Sequence, residues 1–305
     1  MNRSITIGTR GSQLALWQAQ FVKRQLAHYF PKVEVNLKII KTTGDAVLDR
    51  SLVGLGKGVF TKEIEIALHN REIDLAVHSL KDLPTELPDG LYIGSIPTRE
   101  DPRDVLITSS GSSLEDLQSG AKIGTTSPRR KAQLLHIRPD LQVVDIRGNV
   151  DTRLRKLQET DLDGIILAAA GIIRLKKEHH ITQYFDTEKM VPAVGQGALA
   201  IEVRDNDTVV EKLLAPLNNT TTASEITAER TLLECLGGGC QLPIGAYAKR
   251  IDDGVLSLIG TVCHPEGKLR IVEKATGNIN NPEHLGKVVT EKLRNSGADE
   301  LLKTL

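Results

Sequence analysis

Arginine clusters where a strand-like run gives way to a helix-like one. Arg10-Gly11-Ser12, Ser127-Pro128-Arg129-Arg130 and Arg147-Gly148-Asn149 each follow a β-rich run and open a helical pattern. Ser127 suits an N-cap and Pro128 the first helical turn. The partial positive charge of a helix start adds to the guanidinium groups, so each turn favours an anion. Arginine's planar fork matches carboxylate or phosphate. Residues 122–155 hold Lys122, Arg129, Arg130, Lys131, Arg138, Arg147, Arg153 and Arg155 against Asp140, Asp145 and Asp151. That is a net of +5 in a chain whose 39 Lys+Arg and 39 Asp+Glu cancel. The plain alternative is a solvated helix face with surface ion pairs. Three basic turns of one layout favour a cleft for a polyanion.

Two other places could do chemistry. His78-Ser79-Leu80-Lys81-Asp82 closes a strand-like run, where a carboxylate beside a lysine could steer protons or stabilise a transient cation. A loop ion pair is the simpler reading there, and His78 reads as a packed strand histidine. Cys240 follows Gly237-Gly238-Gly239, a stretch that permits positive φ and close approach of a ligand. An accessible thiol on such a loop is a nucleophile or a covalent anchor. Cys235 reads as a core residue of the preceding helix. Cys263-His264 lacks any zinc spacing, so no metal is expected. Gly54-Leu55-Gly56-Lys57-Gly58 matches neither the Walker nor the dinucleotide pattern.

The elements that must position these groups alternate. Strands are expected at 4–8, 33–41, 74–79 and 91–96, with helices at 12–30 and 61–70, a Gly-studded loop at 43–58 and a Pro-rich loop at 81–90. A second alternating unit has strands at 104–108, 122–125, 141–146 and 164–168. Its helices are expected at 113–118, 127–137, 150–158 and from 169 to 175. Such alternation implies parallel or mixed sheets flanked by helices. Segments 99–103 and 191–197 read as hinges, and an apolar run at 198–203 follows. After Asn219 the pattern changes to a helix (223–236), three strands (243–249, 255–263, 269–275) and a helix (282–294), an α+β unit. No internal repeat is visible.

The chain of 305 residues, 40% apolar and 26% charged, has material for two or three ordinary domains. Zero net charge and 3% aromatic residues argue against nucleic acid as a partner. No apolar run approaches the length of a membrane span. No targeting signal is visible, and three cysteines make no disulfide framework. The expectation is a soluble protein of a reducing compartment: three domains, α/β, a polyanion cleft and an exposed thiol.

Seven segments, in order, resemble the porphobilinogen deaminase (hydroxymethylbilane synthase) family. They are IGTRGSQLALWQ at 7–18, GKGVFTKEIEIAL at 56–68, DLAVHSLKDLP at 74–84, IGTTSPRRKAQL at 123–134, DIRGNVDTRLRKL at 145–157, VPAVGQGALAIE at 191–202 and GGGCQLPIGA at 237–246. The resemblance implies a transferase of tetrapyrrole (haem) biosynthesis. It would join four porphobilinogen units head to tail, releasing ammonia, and hydrolyse off hydroxymethylbilane. Its primer would be a dipyrromethane cofactor, linked by a thioether to Cys240.

The resemblance assigns residues too. Asp82 would be catalytic, stabilising the azafulvene cation left when porphobilinogen loses ammonia. Cys240, Lys81, Asp82, Ser127, Arg129 and Arg130 would bind the cofactor. Arg10, Ser12, Gln18, Arg147, Asn149, Arg153, Arg174 and Gln196 would bind substrate. Each porphobilinogen carries an acetate and a propionate, so paired cations are a physical necessity. The implied fold has two lobes like type II periplasmic binding proteins, 1–99 with 197–218 and 100–196, the second holding most carboxylate-binding arginines. A smaller α+β domain, 219–305, carries the cofactor. The implied protein is a cytoplasmic monomer with a small-molecule substrate and no membrane partner. The loop before Phe60 resembles the family's mobile loop. Val53 stands there where many members have lysine, and Pro128 where leucine is common. Two rival readings are a non-catalytic anion binder on the same lobes, and a cysteine hydrolase using His136 or His264 as base.

Overall fold

Residues 4–46, 59–239 and 242–303 are described by a computed structural model, in which two runs of chain build each of two units. The first unit takes residues 1–99 and 198–223, the second 100–197 and 224–305. In chain order the elements begin β1 (Ile5–Thr9), α1 (Gln13–Tyr29), β2 (Val35–Ile39), α2 (Thr43–Ala46), α3 (Lys62–His69), β3 (Leu75–Ser79) and β4 (Leu91–Ser95). Next come β5 (Asp104–Thr108), β6 (Lys122–Gly124), α4 (Pro128–Ile137), β7 (Gln142–Val144), α5 (Val150–Glu159), β8 (Gly164–Ala168), α6 (Ala169–Arg174) and β9 (Gln183–Tyr184). Then follow β10 (Leu199–Arg204), α7 (Thr208–Leu214), α8 (Thr220–Cys235), β11 (Ile244–Asp252), β12 (Val255–Cys263), β13 (Arg270–Asn278), α9 (Pro282–Asn295) and α10 (Ala298–Lys303).

The first unit's sheet runs β2-β1-β3-β10-β4 and the second unit's larger sheet β7-β6-β8-β5-β9. In each, four strands run the same way and the fourth in that order lies antiparallel to both its neighbours. The two sheets therefore share one topology, although no sequence repeat announces it. Parallel strands direct their carboxyl ends to one edge, where open α/β sheets bind ligands. The loops after β1 and β3 in one sheet, and after β6, β7 and β8 in the other, each share such an edge.

Apolar side chains of α1 (Ala19, Val22, Leu26) close one face of the first sheet with Ile5, Ile7 and Val203, while Ile64 and Leu68 of α3 cover Ala76 on the other. The second sheet is likewise covered on both faces. The remaining part, β11-β12-β13, is an antiparallel meander that packs Leu256 and Leu258 on Ala228, Leu232, Val289 and Leu293 of α8 and α9. The fold is α/β with a smaller α+β part at the C-terminal end.

The helix expected at 113–118 does not form. Leu114 and Leu117 are buried, and their carbonyls accept from the Arg138 guanidinium instead of from helical N–H groups. Six residues cannot offset that competition, since helix nucleation is unfavourable. The loop expected at 43–58 starts as the short α2, and its remainder, with Val53 and Lys57, lies outside the described residues. The expected Pro-rich loop opens with a single 3-10 turn, Leu80–Asp82. Cys235 is only partly buried, whereas Cys263 is buried.

Candidate functional site

In the first unit, the β1–α1 turn and the end of β3 meet. Ser12 caps α1, its Oγ accepting from the Ala15 N–H at 3.3 Å. Arg10 lies over the Phe60 ring, 4.2 Å from its centroid. Gln18, one and a half turns into α1, is buried and donates its Nε2 to Ser79 Oγ at 2.7 Å. That bond ties the helix to the end of β3 and sets where the following turn begins. The antiparallel return of β10 helps to fix it, because the Leu80 N–H donates to Ala198 O at 3.1 Å. Asp82 is exposed at the end of the turn. Arg10, Ser12, Gln18, Phe60, Thr61, His78, Ser79 and Asp82 line one cavity. A cation, a hydroxyl and a carboxylate thus face one space, which suits an acidic ligand that develops positive charge.

In the second unit, Ser127 caps α4 as expected, accepting from the Arg130 N–H, with Pro128 in the first turn. Arg129 and Arg130 are both buried, 3% and 5% exposed, and both turn to Asp104, which is wholly buried at the start of β5. Arg129 Nη1 donates to Asp104 Oδ2 at 2.6 Å and to Val191 O at 2.7 Å. Arg130 Nε donates to Asp104 Oδ1 at 2.9 Å and its Nη1 to Ile166 O. Gln196 completes the group, donating Nε2 to Asp104 Oδ1 at 2.9 Å and to Pro102 O at 2.7 Å. Burial pushes the Asp104 carboxyl up, but the charges of Arg129 and Arg130 and these hydrogen bonds outweigh it and hold the group below the usual carboxylate range.

The other basic turns are more open. Asn149 caps α5, its Oδ1 accepting from the Thr152 N–H at 2.9 Å. The preceding Gly148 has φ +115°, a conformation that favours glycine. Arg153 Nε donates to Gly148 O at 2.8 Å, so Arg147, Asn149 and Arg153 share one partly exposed turn. Arg174, the last residue of α6, is buried and donates to Gly197 O at 2.7 Å. Burial lowers its guanidinium to about 10, against the opposing charge of Glu100. Lys81 lies beside Asp82, half-buried. Cys240 lies outside the described residues.

Sequence reasoning missed Asp104, Gln133 and Glu229. Gln133 bonds both polar groups of Val191, while Glu229 accepts from the Gly195 and Ala248 N–H groups. These bonds pin the 191–195 segment. The one available signal was Asp104 itself, a carboxylate heading an otherwise apolar strand. His136, a base in the hydrolase reading, has its Nδ1 2.9 Å from Gly267 O, and His264 Nδ1 accepts from the Glu266 N–H.

Two family models match the chain: "Porphobilinogen deaminase, dipyromethane cofactor binding domain" over residues 5–212, and "Porphobilinogen deaminase, C-terminal domain" over 223–295. A porphobilinogen deaminase of Syntrophotalea carbinolica is 48% identical over 303 residues, covering 99% of this chain and 96% of that protein. Those of Desulfitobacterium hafniense and Carboxydothermus hydrogenoformans are 50% and 46% identical, covering 99% and 100% of this chain and 97% and 98% of theirs. Among solved structures, a probable amino-acid ABC transporter extracellular-binding protein of Bacillus subtilis is 12% identical, with a TM-score of 0.43, over 71% of this chain and 90% of that one. A TRAP periplasmic solute binding protein of Desulfovibrio salexigens is also 12% identical, with a TM-score of 0.44, over 72% and 73%.

Proposed function

The chain belongs to the porphobilinogen deaminase family, and on that premise we propose which of its residues carry the reaction. The family's enzymes polymerise porphobilinogen in tetrapyrrole biosynthesis and use a dipyrromethane cofactor. The observation that carries the residue-level reading is the cavity gathering Arg10, Ser12, Gln18 and Asp82. Asp82 stabilises the cation left when porphobilinogen loses ammonia, because a fixed carboxylate is worth most where positive charge develops. It also receives or returns a proton as that charge collapses. Arg10 holds a substrate carboxylate, with the Phe60 ring beneath its guanidinium limiting where the fork can point.

The donor set suits a primer rich in carboxylates. Arg129 keeps a buried Nε without a hydrogen-bond partner among the described residues, and Arg147 and Arg153 stand at a partly exposed helix start. Cys240 anchors the primer, while Lys81, Ser127, Arg129 and Arg130 hold its acidic groups. When bound, the primer supplies the nucleophilic carbon to which units are added. Arg147, Asn149, Arg153, Arg174 and Gln196 steady the acidic side chains of the units. Asp104 aims Arg129 and Arg130 and prevents two buried like charges from standing alone.

We propose three domains, 1–99 with 197–218, 100–196 and 219–305. The separate sheet and core of the C-terminal part support the last division. No helix of the described residues is long and apolar enough to cross a membrane. The odd cysteine count and the biosynthetic relatives support a cytoplasmic enzyme, and the family resemblance a monomer, which light scattering will check.

Intact-protein mass, on material from a porphyrin-synthesising host, tests the reading. The expected result is an excess equal to two linked pyrroles, absent in Cys240→Ala. Asp82→Asn should keep that mass and lose at least about 100-fold in turnover, as expected when a positioned proton-transfer group is removed. Full turnover in Asp82→Asn would remove the catalytic assignment. A parent chain that stays unmodified when given porphobilinogen would remove the anchor assignment.

A further inference from the structure

Behind the cavity of the first unit lies a buried acidic group that the reading above does not use. His78, on β3, lines the cavity, and its Nε2 is 2.9 Å from Glu202 Oε2 on β10. Glu202 is fully buried and His78 is 6% exposed. Glu65, on α3, is also buried, and its carboxylate is bonded by Thr61, which lines the same cavity. The charge of Glu202 acts on Glu65. Each leaves its Oε1 buried without a hydrogen-bond partner among the described residues.

Two ionised carboxylates, each with a buried oxygen that nothing donates to among the described residues, are costly in such dry surroundings. Thr61 and His78 each serve one of the acids, whereas the two Oε1 atoms lack a donor, and one proton held between the acids supplies it. Burial and the charge of Glu202 push the Glu65 carboxyl up, against the Thr61 bond and the charges of His78 and His69. Among the described residues, Arg10 and Asp82 are the charged groups lining the cavity, and Arg204 lies farther along β10. Arg204 is occupied by the Leu68 and Ile73 carbonyls and by Asp74 and Asp207. Glu63, on α3, is turned to Thr43.

We infer that Glu65 and Glu202 hold one shared proton behind the cavity and exchange it with the cavity wall through His78. This rests on the reading of Asp82 as the group at the reacting centre, and makes the three positioning residues for its proton transfers. The balance closes over each addition. The α-carbon of the acceptor pyrrole gives up a proton when the new carbon–carbon bond forms, and the ammonia that departed from porphobilinogen takes one up. A store that accepts one and returns one is unchanged at the end.

The test joins spectroscopy to kinetics on the primed, full-length enzyme. Infrared difference spectra between parent and Glu65→Gln at neutral pH should show the carbonyl stretch of a protonated carboxylic acid in the parent only. Glu65→Gln should keep primer mass and KM, lower kcat by about 100-fold, the low end for positioned proton transfer, and flatten the alkaline limb of the kcat–pH profile. Glu202→Gln should also remove the acid stretch and flatten that limb, and it serves if the first variant folds poorly. An acid stretch that survives both substitutions, or an alkaline limb unchanged in both, overturns the inference. Asp82→Asn, measured alongside, separates the two readings. Its predicted loss of turnover together with unchanged Glu65 and Glu202 variants defeats the proton store alone, whereas full turnover in Asp82→Asn defeats the reading on which it rests.

Discussion

Asp104 sits between two guanidinium groups with no access to water, so its charge is worth more to the fold than that of any surface carboxylate. Replacing it by Asn removes one charge and leaves Arg129 and Arg130 buried and uncompensated. Breaking a buried pair from one side costs about 3–5 kcal/mol. Urea denaturation of Asp104→Asn at neutral pH should show that loss. The Asp104 carboxyl is held below its ordinary value, so its contribution is complete above the unfolded-state pKa of about 3.9 and is lost as pH falls through the folded value. The gap between parent and variant should therefore narrow in strong acid. The place of these arginines at a capped helix start was legible in the sequence, because residue type and the start of a helix are local facts. Their internal partner was not legible: Asp104 lies more than twenty residues away, and only the pairing of β5 beside β8 brings it under α4.

Elements are where the sequence reads best and where one class of error recurs. Helices with a capping residue and a long apolar stripe, such as α1 after Ser12 and α5 after Asn149, lie within a residue or two of their expected bounds. Short pieces held by tertiary contacts do not. The 113–118 segment loses its carbonyls to Arg138, and β9 exists only because β5 offers it an edge. The shared order of the two larger sheets was invisible because topology resides in pairing, which no periodicity records. Gly197 is a position where sequence and geometry agree on a requirement. Its φ is +87°, and a Cβ there would lie 2.4 Å from the Glu100 carbonyl oxygen. The Gly197 carbonyl also accepts from the Glu100 N–H and from Arg174, so the backbone cannot swing away without losing both bonds. Gly197→Ala should cost about 1–3 kcal/mol, the range for a strained backbone position, read as a lower urea midpoint. If Arg174 steadies substrate as proposed, the variant should also raise KM, because Arg174 loses its bond to the Gly197 carbonyl.

At the scale of the whole molecule, positive charge is concentrated in one segment of the chain. The chain is neutral, yet residues 122–155 are +5, and Arg129, Arg130, Arg147 and Arg153 stand at or beside helix starts that already favour anions. Asp104 answers Arg129 and Arg130 internally, whereas the turn at Arg147 and Arg153 is partly exposed. A covalent primer bearing carboxylates would therefore stabilise the folded chain as any ligand of the native state does, with no dissociation to weaken it. Cys240→Ala, which the proposed anchor assignment leaves unprimed, should then unfold earlier, each kcal/mol lost lowering the midpoint by about 2–4 °C for a protein of this size. A single midpoint is a blunt reading of a chain with two units, so amide exchange is the sharper one. Exchange in Cys240→Ala should quicken at the start of α5 and stay unchanged in the β11–β13 meander, whose core is apolar and separate. Phosphate should slow it again more than chloride at equal ionic strength, because simple screening cannot tell the two anions apart while a guanidinium fork can. Equal protection in both proteins would mean that the chain's own carboxylates already answer the Arg147 turn, as Asp104 offsets one of the two charges of Arg129 and Arg130.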